Sequence, residues 1–583
     1  MTALATMGEV DMRGLPADRK AIDRLCQWLA CQDPVAAQQA LCTAVSATSG
    51  HGVADGTRLA MLMALDRTAR QACERLLVRY VEGDAQQRLM GRRSYVSALR
   101  LSESMVLAYG ELLQDLRETP AADAVKRAPD IVVRLMAFRQ IDLILRMLRY
   151  KRRSASQWRA LHEALGFAME RDLHARTVAI SPSELLPVAA TTVERQYVQV
   201  LLLGAANAGQ LSPREVLWAC RWFGRWCQSL SLWHGEGASA GRGQSGFAVH
   251  LGGAEGPTRK ATAGNGPVLY LDTAPLGAMI EAAAAALRTP GDAGSEPAEA
   301  IRYARLALLD KLRILFAPTP MLIERRGQRE PVDSTVQVVT GLTQIMQTLR
   351  SSARQSVNAR AGAASPLREP TIEAFNGPTR TMTRGAGDAP IATPEVWQVR
   401  DRSDSGCRMR GQVADLNRVI PGSLLAMRTS ESAPWSLAVV RRLRRLMVDH
   451  IEIGVEYLGR NPRFVKAVIG ERFEPSAVQL RDAEPRCVGA LYLPPSDAFP
   501  LRPIRTLVLP QRDFRPHGGV TLLAADAIYT LRLDEPIERQ TEFVVTPFAV
   551  LRKSTGEGPA GPDPRVHGQR PTVHDALPRR AGL

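Results

Sequence analysis

With 583 residues, the chain has room for three or four domains. Its 45% hydrophobic and 23% charged content is that of a globular protein, which excludes a disordered or collagen-like chain. The net charge, 75 − 59 = +16, is carried almost wholly by arginine, because only seven of the basic residues are lysine. Aromatics at 5% are thin for a protein that grips single strands by stacking bases on rings, so nucleic acid is not the expected partner.

The opening segment has no basic stretch followed by an apolar one, so no signal peptide is expected. The most apolar helical stretch, 131–150, is interrupted by Arg134, Arg139, Asp142 and Arg146, whereas a membrane span needs about 20 nearly charge-free residues. The eight cysteines form no Cys-x-x-Cys pair and the nine histidines are scattered, which points to a reduced, cytoplasmic and metal-free protein.

After a flexible N-terminus at 1–16, residues 17–315 read as a mainly helical domain. Leu59, Leu62, Leu65, Ala69, Cys73 and Leu76 recur near a 3.6-residue period within a helix at 58–80. A second helix spans 131–153 and ends in a basic turn that suits the negative end of its dipole. Ser181-Pro-Ser-Glu184 and Ser212-Pro-Arg-Glu215 both predict helix starts with a capping box. A Gly-rich loop or hairpin occupies 235–266. Within it, Gly241-Arg-Gly-Gln-Ser-Gly246 fits a dinucleotide-binding pattern, but a helix precedes it and a strand follows, the reverse of the order that delivers a pyrophosphate to a helix N-terminus. Further helices are expected at 273–287, 297–315 and 343–350.

The period then changes to two, with strands at 332–341, 396–400, 423–428, 435–442 and 451–458 and a mobile insertion at 350–394. A second β-rich domain occupies 466–552, with strand-like runs between 486 and 551, and a disordered tail follows at 553–583. The run Arg441-Arg-Leu-Arg-Arg445 reads as a solvated strand end. No nucleophile elbow, phosphate-binding loop or zinc-helix motif occurs, so no catalytic residue and no enzyme activity is expected.

The informative segment is Asp401-Arg-Ser403-Asp-Ser-Gly406, at the end of the strand Val396-Trp-Gln-Val-Arg400. Asp and Ser side chains there can bond local amides or a ligand, and Gly permits a backbone turn. Downstream stand Ile420-Pro-Gly-Ser-Leu-Leu, Trp435-Ser-Leu-Ala-Val-Val-Arg and Ile451-Glu-Ile-Gly-Val-Glu-Tyr-Leu. These elements, in this order, resemble the PilZ family of small β-barrels, receptors for the bacterial messenger cyclic di-GMP. The resemblance covers roughly 130 residues once the first strand is included, within a barrel domain expected at 324–465. It implies a PilZ-like six-stranded β-barrel with an insertion; with the helical and β-rich readings on either side, the chain is expected to be a multidomain α+β protein of an N-terminal all-helical domain, this barrel and a second small all-β domain.

The family also carries an Arg-x-x-x-Arg segment before its first strand. Two segments qualify here: Arg325, Arg326 and Arg329, which lead directly into the strand at 332–341 and are preferred, and Arg380 with Arg384. The ligand-binding set implied by the resemblance is therefore Arg325, Arg326, Arg329, Asp401, Ser403 and Gly406. Arginine forks would pair with phosphates and guanine edges, and the helical domain would be reoriented toward a protein partner. The competing expectation is a PilZ-like scaffold that binds no nucleotide and acts only through protein contacts.

Overall fold

The structure, a computed structural model, describes residues 19–48, 57–83, 88–118, 125–151, 153–206, 208–234, 246–259, 267–289, 296–317, 329–360, 393–413, 419–447, 449–469, 486–495, 504–523 and 527–555. It is a mixed α+β chain, a helical region followed by two closed antiparallel barrels.

The helical region opens with α1 (Arg19–Ala30), α2 (Pro34–Ala47), α3 (Thr57–Glu82), α4 (Arg88–Glu118), α5 (Ala128–Leu148) and α6 (Ala155–Met169). The short strands β1 (Val178–Ala179) and β2 (Ala190–Thr191) pair across a loop, and α7 (Val193–Ala205) and α8 (Pro213–Trp226) follow. Strands β3 (Leu232–His234), β4 (Gly246–His250) and β5 (Val268–Asp272) form a small sheet in the order β3-β5-β4, and α9 (Ala274–Arg288) and α10 (Glu296–Phe316) complete the region. One apolar core runs through it all, from Leu41 through Leu62, Phe138, Leu165, Leu201 and Phe223 to Leu312. No described helix is long and apolar enough to cross a membrane.

Two local expectations divide here. Ser212 caps α8 in full: its backbone N–H donates to Glu215 at 2.7 Å and its hydroxyl accepts from the Glu215 amide at 3.4 Å. Ser181-Pro-Ser-Glu184 starts no helix. The amides of Glu184 and Leu185, which a first helical turn would leave free, donate to the buried carboxylate of Glu74 on α3 at 3.1 and 3.3 Å. Arg70, also on α3, takes the Ser181 carbonyl at 2.9 Å. Tertiary partners thus satisfy the segment as a loop.

The first barrel comprises β6 (Glu330–Thr340), β7 (Glu395–Ser403), β8 (Gly406–Gln412), β9 (Leu424–Arg428), β10 (Ser436–Arg445) and β11 (His450–Arg460), closed in the order β6-β7-β8-β11-β10-β9. Helix α11 (Leu342–Arg360) lies between β6 and β7 in sequence. Strand β8 lies outside the strands expected from sequence, because Gly-Cys-Arg-Met-Arg-Gly-Gln has few aliphatics. Its alternation is nevertheless clear, with Cys407 and Met409 buried and Arg408 and Arg410 outward.

The second barrel comprises β12 (Arg463–Ile469), β13 (Arg486–Leu493), β14 (Thr506–Pro510), β15 (Gly519–Leu523), β16 (Ala527–Leu533) and β18 (Phe543–Thr555), with the two-residue β17 (Glu538–Arg539) added to β18. The β14–β18 pairing closes it. Numbered within each barrel (β17 left aside), the strand order is 1-2-3-6-5-4 in both. Strand β12 pairs with β13 and β15, so the passage from one barrel to the next is the two-residue link Asn461-Pro462.

The barrels share a wall. On β9 and β10, Leu425, Met427, Ala438 and Val440 point into the first barrel. Their neighbours Leu424, Ala426, Leu437 and Val439 point outward, onto Leu491, Leu493, Val508, Phe543 and Val545 of the second barrel and onto α11. Burial on both faces explains why these strands read as unbroken apolar runs.

The helix expected at 131–153 ends sooner, at Leu148. The Tyr150 amide donates to the Met147 carbonyl at 2.9 Å and the Lys151 amide to the Arg146 carbonyl at 2.9 Å, the bonding pattern of a Schellman end. The left-handed position, usually glycine, is Tyr150 at φ 54°. Its ring enters the core of the first barrel, and its carbonyl accepts from the Arg445 amide at 3.4 Å. Burial of an aromatic ring offsets a backbone cost of order 1–3 kcal/mol.

Candidate functional site

Antiparallel pairing of β6 with β7 sets Pro331 opposite Asp401, so Arg329, just before β6, arrives beside the end of β7. Strands β7 and β8 form a hairpin in which Asp401 faces Arg408 and Ser403 faces Gly406, leaving only Asp404 and Ser405 in the turn. The Asp-x-Ser-x-x-Gly motif is therefore a hairpin end, and each of its three residues has a distinct physical role.

Asp401 is 8% exposed and both of its oxygens are engaged. Arg329 Nη1 donates to Oδ1 at 2.8 Å and Arg408 Nε to Oδ2 at 2.6 Å. The carboxylate thus orients two guanidinium groups that remain nearly half exposed, with nitrogens to spare. Ser403 Oγ donates to the Gly406 carbonyl at 3.2 Å and closes the hairpin. Gly406 has no positive φ, so the turn itself does not require it. A β-carbon there would drive into the Val455 carbonyl of β11, and close approach of two strands is what demands glycine. Arg408 also approaches Glu452 at 3.8 Å, and Arg410 Nε donates to the same carboxylate at 2.8 Å, extending the charged ladder across β8 and β11.

Of the residues proposed from sequence, the structure brings together Arg329, Asp401, Ser403 and Gly406. Arg325, Arg326, Arg380 and Arg384 lie outside the described residues, as do residues 241–245 of the Gly-rich motif. Sequence reasoning missed Arg408 and Glu452. The alternation of β8 and of Ile451-Glu-Ile-Gly-Val could have placed both on outer strand faces.

The corner opens onto a cleft of about 1500 Å³ between the first barrel and the helical region. Its barrel side includes Arg329, Asp401, Ser403, Arg408, Arg442 and Arg444. Its helical side includes Lys151, Arg153, Gln210 and Lys311, and Gln540 of the second barrel also reaches it. The volume exceeds the ~300–1,000 Å³ of an ordinary small-ligand pocket.

The run 441–445 is more than a solvated strand end. Arg441 gives Nη1 and Nη2 to Glu538 of the second barrel at 2.9 and 2.6 Å and Nε to Glu456 at 2.7 Å. Burial opposes its charge, but the two carboxylates outweigh burial and hold its pKa above the ordinary value. No group of three or more His, Cys, Asp or Glu side chains suited to a metal ion occurs among the described residues.

A family model described as the N-terminal domain of the cyclic-di-GMP receptor FimW matches residues 20–234. That span runs from α1 through β3 and includes Lys151, Arg153 and Gln210 on the helical side of the cleft. No curated protein and no solved structure matches the chain.

Proposed function

We propose that the protein is a cytoplasmic, non-enzymatic receptor for cyclic di-GMP whose first barrel, of PilZ type, binds the nucleotide and whose helical region passes the bound state to a protein partner. The observation that carries this reading is the convergence of Arg329 and Arg408 on buried Asp401, at a hairpin that opens onto the cleft. The FimW-type match supports the same ligand from a different part of the chain. The two lines are independent, because the sequence resemblance lies at 324–465 and the family match at 20–234.

The chemistry follows from the donors. A guanidinium held by one edge on a carboxylate keeps its other edge for a phosphate or for the O6 and N7 acceptors of guanine. Asp401 acts through the arginines, fixing their forks before ligand arrives. Ser403 and Gly406 hold the hairpin in register. Arg325 and Arg326 belong to the same proposed arginine segment as Arg329.

Isothermal titration of the full chain with cyclic di-GMP tests the reading. One saturable binding event is expected, weakened at least tenfold (about 1.4 kcal/mol) by Arg329→Ala and by Asp401→Ala. Equal heats from wild type and both variants would remove the site.

A further inference from the structure

The proposed function uses only the barrel side of the cleft. The opposite side carries a charge problem that the described residues do not solve. Eight basic side chains line the cleft against four acidic ones. Three of the acids are engaged: Asp401 by Arg329 and Arg408, Glu452 by Arg410 and Arg408, and Glu456 by Arg441. The fourth, Glu255, is exposed and makes no ion pair among the described residues.

The basic groups left over come from two bodies. Lys151 follows the left-handed turn at Tyr150, and Arg444 projects from β10. Neither has a side-chain partner among the described residues. With the Gln210 amide turned so that its oxygen faces β10, Arg442 donates Nε and Nη2 to that oxygen at 3.0 Å each. Arg153 gives Nη2 to the Arg139 carbonyl at 2.7 Å and lies 4.9 Å from the Trp158 ring centroid. Its Nε and Nη1 are buried without any partner among the described residues.

Burial pushes the Arg153 pKa down to about 9. Asp142 pulls the other way, and Arg139 and Arg146 add to the push. Lys151 is lowered by burial and by Arg445, Arg149 and Arg146. Like charges from separate bodies, held around one cavity in which Glu255 is the single unpaired carboxylate among the described residues, are stabilised by an anion that reaches both.

We infer that Lys151 and Arg153 of the helical region, with Arg442 and Arg444 of β10, form the second half of the nucleotide site and take the phosphodiester that the Arg329–Asp401 corner leaves free. This inference rests on the proposed function and assigns the helical region a direct part in binding. It also states a specificity. A ligand with two phosphates on one ring can engage both sides of the cleft, and a mononucleotide only one. Binding then draws the two bodies together, because the ligand has more partners when the cleft is closed.

Lys151 and Arg444 are the residues to change, since both are exposed and neither holds a fold contact. Full-length protein, Lys151→Ala, Arg444→Ala and Asp401→Ala are titrated with cyclic di-GMP and with cyclic GMP at two salt concentrations. The expected result for cyclic di-GMP is about a tenfold loss for each of Lys151→Ala and Arg444→Ala, with a shallower salt dependence. Cyclic GMP should bind far more weakly and respond to neither change. If wild type binds cyclic di-GMP and Asp401→Ala weakens it while Lys151→Ala and Arg444→Ala leave affinity and salt dependence unaltered, the helical half-site is overturned and the receptor reading stands. If wild type does not bind cyclic di-GMP, both fall.

Discussion

The two barrels have the same strand order and differ in their connections. In the first, strands two and three are joined by Asp404 and Ser405 alone, and the chain enters strand one through Arg329, so a carboxylate and two guanidinium groups meet at one end. In the second, the corresponding strands β13 and β14 are separated by residues 494–505, with no Asp-x-Ser-x-x-Gly. Strand β12 follows β11 after only Asn461 and Pro462, so no separate approach segment precedes it. The interiors differ as well. Tyr150 of the helical region enters the first core, whereas Phe514, just past β14, belongs to the second. The same architecture becomes a candidate receptor in one copy and a packing partner in the other, because sites live in connections rather than in strand order.

The largest expected effects come from emptying each core. Trp397 and Phe514 are among the bulkiest fully buried side chains, and Trp397 lies against Gly411. Trp397→Ala and Phe514→Ala should each cost about 3–5 kcal/mol in denaturant unfolding. If the comparison holds, Trp397→Ala also weakens cyclic di-GMP binding and Phe514→Ala, at temperatures where it stays folded, does not. Equal losses of affinity would mean that both barrels bear on the ligand.

A smaller effect is expected at the corner. Gly406→Ala forces a β-carbon onto the Val455 carbonyl, so thermal unfolding should show a loss of about 1–3 kcal/mol, with nucleotide affinity reduced through a displaced hairpin. The smallest effect concerns the plug. The Tyr150 hydroxyl is buried with no partner among the described residues, and burial pushes its pKa well up. Tyr150→Phe should therefore leave stability within about 1 kcal/mol of wild type or raise it. A loss of several kcal/mol on unfolding would reveal a hydroxyl contact that this geometry lacks.

Much of the first barrel is legible along the chain because its signals are local. Ile451-Glu-Ile-Gly-Val-Glu-Tyr alternates faithfully, and Asp401, Ser403 and Gly406 sit within one hairpin, so spacing alone brings them together. Arg329 is reachable from the order of segment and strand. What sequence could not show depends on distant partners. Glu74 claims the amides that Ser181-Pro-Ser-Glu184 would have capped. The barrel core draws Tyr150 out of the helix expected to run to Arg153. The likeness of the two barrels was hidden because β12 lies close behind β11 and the motif is confined to the first copy. Lys151 and Arg444 are 293 positions apart and share a cleft only once the helical region has docked.

The wall common to the barrels has a mechanical consequence. Leu424, Ala426, Leu437 and Val439 have no solvent-facing side to fall back on, and a two-residue tether leaves the second barrel nowhere to swing. The pair should melt as one unit. A gene ended after residue 461 would yield a greasy, self-associating fragment in place of a miniature sensor.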